Sequence, residues 1–101
     1  MKRTERIQAM EKILNSYTDV LANFEKALDV LVQNREDYIK LRDYYSSEQW
    51  FKDVDAYNEG KLPEDLDCGV LSEDAVFDLI GDRNRMGIRL LEEGTRMVKE
   101  F

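Results

Sequence analysis

Four carboxylates in one short stretch, Asp53, Asp55, Glu59 and Glu64, are the first residues whose types and spacing suggest chemistry. Counted from Asp53, Glu64 takes the twelfth place of a calcium-type loop, where a bidentate glutamate is required. The match fails inside the loop. The fifth place is Tyr57, and the sixth is Asn58, where only glycine makes the turn. The stretch also reads as helix, which is incompatible with an opening metal loop. The chain has no histidine. That removes the commonest general base and metal ligand, and with it the Glu-x-x-His pairs of a di-metal carboxylate bundle. These acids therefore read as a solvated face, with a carboxylate metal site or enzyme kept as an alternative.

Two further groups carry reactive or recognition chemistry. Cys68 is the only cysteine and stands between Asp67 and Gly69. A thiolate is activated near a helix N-terminus, but acidic neighbours oppose its formation and no histidine serves as base. Cys68 reads as a small packed or incidental residue. Tyr44, Tyr45, Trp50, Phe51 and Tyr57 crowd together and suit either a recognition patch or rings that close the end of a bundle; the second reading is favoured. Gly60-Lys61-Leu62-Pro63 contains a Gly-Lys pair without a phosphate-binding loop or a preceding strand. No catalytic residue, metal ligand or cofactor is assigned.

The elements that must position these residues are helical. With 101 residues the chain suits one domain, 1–101. One proline and five glycines are too few for an all-β chain. From Ile7 apolar residues recur at alternating steps of three and four: Ile7, Met10, Leu14, Tyr17, Leu21, Phe24, Leu28, Leu31. That is a coiled-coil stripe held over four heptads. Val20, Ala27 and Val32 widen it, which favours packing against more than one neighbour. The stripe stumbles at Gln33-Asn34-Arg35-Glu36-Asp37 and resumes as Tyr38, Leu41, Tyr45. The spacing predicts one helix over about 3–45, either continuous with a rotating face or broken near Asn34, which then caps the next segment.

Ser46 with Gln49 matches a capping box and opens a short helix over about 47–58. Gly60 suits its C-terminal stop, and an acidic loop covers 60–71. Ser72 reads as the N-cap of a last helix over about 72–100, with Glu73 and Asp74 in its first turn and Leu71 and Val76 placed as a staple. Gly87 and Gly94 lie one heptad apart on its apolar face and predict close approach to another backbone. The fold class is thus all-α, with the last helix packed antiparallel on the first. At ~1.5 Å per residue the first helix runs about 63 Å and the last about 42 Å, so some 20 Å of stripe stays uncovered. A break near Asn34 or a second copy resolves this, and a homodimer is expected.

Charge sorts the partners. Net charge is −7. Residues 1–45 carry eight Lys/Arg against eight Asp/Glu, residues 46–79 two against ten, and residues 80–101 five against four. The central acidic segment and the lack of a basic stripe argue against nucleic acid and against an anionic membrane surface. No apolar run approaches the ~20 residues of a membrane span. A lone thiol behind a charged, amphipathic start predicts a cytoplasmic location.

The strings Tyr44-Tyr45-Ser46-Ser47-x-x-Trp50 and Gly60-Lys61-Leu62-Pro63-x-Asp65-Leu66-x-Cys68-Gly69-Val70-Leu71-Ser72-Glu73-Asp74-Ala75 resemble a family of uncharacterised small bacterial proteins. It is a domain of unknown function, four-thousand-two-hundred-and-ninety-eight in its numbered series. The opening Arg6-Ile7-x-x-Met10-Glu11 is similar to that family's start, so the resemblance covers nearly the whole chain. Phe51 and Val54-Asp55 depart from a more acidic run in that family. The resemblance implies a small helix-rich protein and no known activity, substrate or cofactor. It draws attention to Tyr44, Tyr45, Trp50, Lys61, Leu62, Asp65 and Leu66 as candidate partner-binding residues.

Three functions fit these observations. The first is a small cytosolic helical interaction or regulatory module without catalytic activity. The second is an acidic decoy or inhibitor of a basic, nucleic-acid-binding protein, whose binding would weaken with salt. The third is the carboxylate metal protein or enzyme built on the 53–64 segment.

Overall fold

The computed structural model describes residues 2–101. Four α-helices run in the order α1 (Arg3–Gln33), α2 (Arg35–Tyr44), α3 (Glu48–Asn58) and α4 (Ala75–Lys99), and a 3-10 turn at Gly69–Leu71 precedes α4. There is no strand among the described residues. The all-α expectation and a long first helix interrupted near residue 34 are both met. No helix among the described residues is long and apolar enough to cross a membrane. The chain divides into two units, one ending at Asp37 and the other spanning Tyr38–Phe101.

The first unit is essentially α1. No residue of α1 is buried. The eight stripe residues from Ile7 to Leu31 are 37 to 61% exposed, as are Ile13 (57%) and Val20 (55%) beside them. The stripe has the expected helical register. Its end is local chemistry. Asn34 takes φ −94° and ψ 9°, outside the helical basin. Its backbone N–H (3.1 Å) and its side-chain Nδ2 (2.8 Å) both donate to the Val30 carbonyl. The expected role of Asn34 as an N-cap for the next helix is thus corrected: its side chain closes the helix behind it. Glu36 and Asp37 supply the negative charge that the first turn of α2 favours.

In the second unit, the apolar face that resumes after the interruption becomes half-buried at Tyr38, Leu41 and Tyr45. The Arg83 guanidinium of α4 lies 3.9 Å from the centre of the Tyr38 ring, a cation–π contact joining α2 and α4. Ser47, not Ser46, caps α3. Its backbone is extended and its Oγ accepts from the Trp50 N–H at 3.2 Å, while the same hydroxyl donates to the Tyr44 carbonyl at 2.7 Å. One hydroxyl therefore closes α2 and opens α3, which Ser46, one residue earlier, is not placed to do.

α3 ends as expected at Gly60, whose φ is +71°. Lys61 N–H donates to the Ala56 carbonyl and Gly60 N–H to the Tyr57 carbonyl, at 3.0 and 3.1 Å, the paired bonds of a Schellman stop. α4 starts later than residue 72. Ser72 has the extended backbone of a cap and its Oγ accepts from the Ala75 N–H at 3.2 Å, yet the first α-helical bond runs from Asp78 N–H to the Asp74 carbonyl. The 3-10 turn also holds Ser72, through bonds from both its N–H and its Oγ to the Gly69 carbonyl.

The core of this unit is small. The buried hydrophobic residues are Trp50 of α3 and Val76 of α4, and the 3-10 turn contacts both helices. Most of α4 is open: Phe77, Leu91 and Val98 are each at least 66% exposed. Beyond the adjoining backbone of the helix itself, no described atom lies within 4 Å of the point where a side chain would begin on Gly87 or Gly94. Among the described residues, no backbone makes the close approach expected there.

Candidate interaction site

The seven candidate residues separate into two groups. Tyr44, Tyr45 and Trp50 hold the connection between α2, α3 and the start of α4. Lys61, Leu62, Asp65 and Leu66 lie on the loop after α3.

Trp50 is the anchor of the first group. Its position, three residues after the Ser47 cap, is set by the turn between α2 and α3. The indole N–H donates to the Val70 carbonyl at 3.0 Å, drawing the 3-10 turn onto α3. The Tyr45 ring meets the indole edge-on at 5.2 Å and Phe51 does so at 5.1 Å. The Tyr45 hydroxyl reaches the Glu73 carbonyl at 2.9 Å, fixing the residues just before α4. These bonds satisfy the polar tips of two half-apolar rings, which is what burying a tyrosine or tryptophan requires.

Tyr44 faces the other way. Its hydroxyl donates to Asp53 Oδ2 at 2.6 Å, while Gln49 Nε2 donates to Oδ1 at 2.8 Å. The bond to the carboxylate, with partial burial and the neighbouring negative charge, pushes the Tyr44 hydroxyl up to about 12. The bonds from Tyr44 and Gln49 hold Asp53 below the usual carboxylate value. Nothing in the sequence announces this pair, because a spacing of nine matches no helical or strand period.

The loop is shaped by a turn in which Leu66 N–H donates to the Pro63 carbonyl at 3.2 Å. Leu62 and Leu66, with Tyr57, Pro63 and Cys68, line an open groove of about 670 Å³. Cys68 is half-buried and its thiol approaches the Leu66 carbonyl at 3.4 Å, a weak local bond. Lys61 pairs with Glu59 at 2.6 Å on the surface, and Asp65 is exposed. The loop thus offers a shallow, open groove lined by both polar and apolar groups.

The acids of the 53–64 segment do not converge. Asp53 is engaged by Tyr44 and Gln49, and Glu59 by Lys61. Among the described residues no three Asp, Glu or Cys side chains gather to hold a metal ion. The helical reading of 48–58 explains why: consecutive acids are fanned around α3 and Glu64 lies beyond its stop.

Sequence comparison places the chain without assigning it an activity. No curated protein matches it. Residues 7–93 match the family described as "Domain of unknown function (DUF4298)", a span that takes in both the α1 stripe and the Tyr44–Ala75 connection. The chain therefore belongs to the DUF4298 family.

Proposed function

We propose that this chain is a small cytosolic interaction module without catalytic activity, which self-associates as a homodimer through a coiled-coil-like face on α1. The observation that carries this reading is the unburied stripe: eight apolar side chains over four heptads, each at least 37% exposed. In proteins a helix draws most of its stability from packing its apolar face and little from propensity alone. Covering the eight side chains is worth on the order of 10 kcal/mol per chain, at ~1.5–3 kcal/mol for each complete burial. That is comparable with the ~4–15 kcal/mol that association costs in lost freedom. The Tyr44–Ala75 connection, held by backbone-directed bonds, then serves as a rigid platform whose Leu62–Leu66 groove is available to another protein.

Sedimentation velocity of the full chain at tens of micromolar tests the reading. Dimer is expected for the unmodified chain and monomer for Leu21→Glu, which puts a charge at the middle of the stripe. A monomer for both overturns it.

A further inference from the structure

We infer that the second copy covering α1 lies antiparallel to the first, with the two-fold axis near residue 19; the inference rests on the self-association proposed above. Three independent features of α1 choose this direction.

The first is charge. The half of α1 up to Thr18 carries Arg3, Arg6 and Lys12 against Glu5 and Glu11, a net +1. The half from Asp19 onward carries Lys26 against Asp19, Glu25 and Asp29, a net −2. Antiparallel pairing sets the positive half of each copy beside the negative half of the other, and it also opposes the two helix dipoles. Parallel pairing sets like against like.

The second is the flank of the stripe. With Ile7 as the first core position, the row preceding the core is apolar at Ile13, Val20 and Ala27, while the row following it is Glu11, Thr18 and Glu25, with Val32 at its end. In an antiparallel pair each row meets its own copy, so Val20 faces Val20 and Ile13 faces Ala27. In a parallel pair the rows cross, and Val20 meets Glu25. Ile13 and Val20 are both more than half exposed in the single chain, so this flank is free to be covered.

The third is the core itself. Antiparallel layers combine unlike positions, placing Tyr17 on Leu21 and Leu14 on Phe24. Parallel layers stack Tyr17 on Tyr17 and Phe24 on Phe24, alternating oversized and ordinary layers, which close packing resists. Two features oppose the assignment: Glu11 of one copy comes near Glu25 of the other, and a parallel pair would set Arg6 beside Glu11. These side chains are exposed, and salt at physiological strength screens such charges beyond ~8 Å.

The test is disulfide trapping in full-length chains carrying Cys68→Ser. The antiparallel register places position 10 opposite position 28. An equimolar mixture of Met10→Cys and Leu28→Cys chains is expected to cross-link under mild oxidation in the mixed dimers that random pairing forms, and each variant alone only at background. Cross-linking of Met10→Cys alone means a parallel pair and overturns the inference while leaving self-association standing. No cross-link in a chain that still sediments as a dimer also overturns it. A monomeric wild type removes the self-association beneath it. A nitroxide label at Glu5→Cys guards against disturbed packing: the antiparallel pair separates the two labels by about 40 Å along the helix axes. Labels closer than about 25 Å would reject the arrangement, since a parallel pair keeps equal positions side by side.

Discussion

At the scale of single residues, Trp50 does most to hold the second unit together. It is one of the chain's few buried side chains, and its N–H is spent on the Val70 carbonyl. Trp50→Phe keeps a ring and strands that carbonyl, so a loss of about 1–3 kcal/mol is expected in chemical or thermal unfolding. Trp50→Ala adds a cavity and raises the loss to about 3–5 kcal/mol. The Tyr44–Asp53 pair makes a pH prediction of definite sign. The Tyr44 pKa is higher folded than unfolded, so its contribution is complete below pH 10 and lost as pH rises through about 12. The Asp53 pKa is lower folded, so its contribution is present above the ordinary carboxylate value and lost on acidification through the depressed one. Phenolate absorbance, taken as the difference between wild type and Tyr44→Phe, should therefore rise near pH 12 in the folded chain and near pH 10 in denaturant. A Tyr44 transition at pH 10 in the folded chain would show the bond to be absent in solution.

At the scale of elements, local chemistry was readable wherever one side chain or one glycine decides an end. Gly60 stops α3 at a positive φ, and nothing stands within 4 Å of its missing side chain. Gly60→Ala should accordingly cost about 1–2 kcal/mol through backbone strain alone, measurable as a lowered unfolding midpoint. Periodicity likewise revealed the stripe and the interruption after Gln33. What the sequence hid were choices between equivalent neighbours and bonds to the backbone. Ser46 and Ser47 are the same residue type, and only the geometry of the preceding turn selects Ser47. Asn34 is chemically able to close the helix behind it or open the one ahead. The 3-10 turn at Gly69–Leu71 has no periodic signature, and it delays α4 to Ala75 although Ser72-Glu73-Asp74 has the composition of a helix start. The roles of the Val70 and Glu73 carbonyls are invisible in any sequence, because every residue has a carbonyl.

At the scale of the whole molecule, the exposure of α1 is the most informative feature. Comparing helix lengths predicts either a break near Asn34 or a second copy over the excess stripe; the break is present, and no residue of α1 is buried. A chain whose longest helix depends on a partner should lose helix content on dilution. Far-UV circular dichroism from about 100 to about 1 micromolar should show ellipticity falling as dimer dissociates, with the melting temperature rising with concentration as mass action requires. Concentration-independent melting would place the stability of α1 within a single chain. Acidic residues concentrate in the second unit, so charge repulsion between copies is smallest where α1 meets α1, consistent with the first unit as the contact.

The bonds from Tyr45 and Trp50 end on main-chain oxygens, and this sets which positions evolution can vary. A hydroxyl that recognises a carbonyl is indifferent to the side chain beyond it. The exposed position 73 is then free to drift through almost any residue other than one that disturbs the turn, while positions 45 and 50 are constrained to an aromatic alcohol and an indole. A saturation library sorted for folded protein should record that asymmetry: broad acceptance at Glu73, and near-exclusive recovery of tyrosine and tryptophan at the two ring positions that grip the connection.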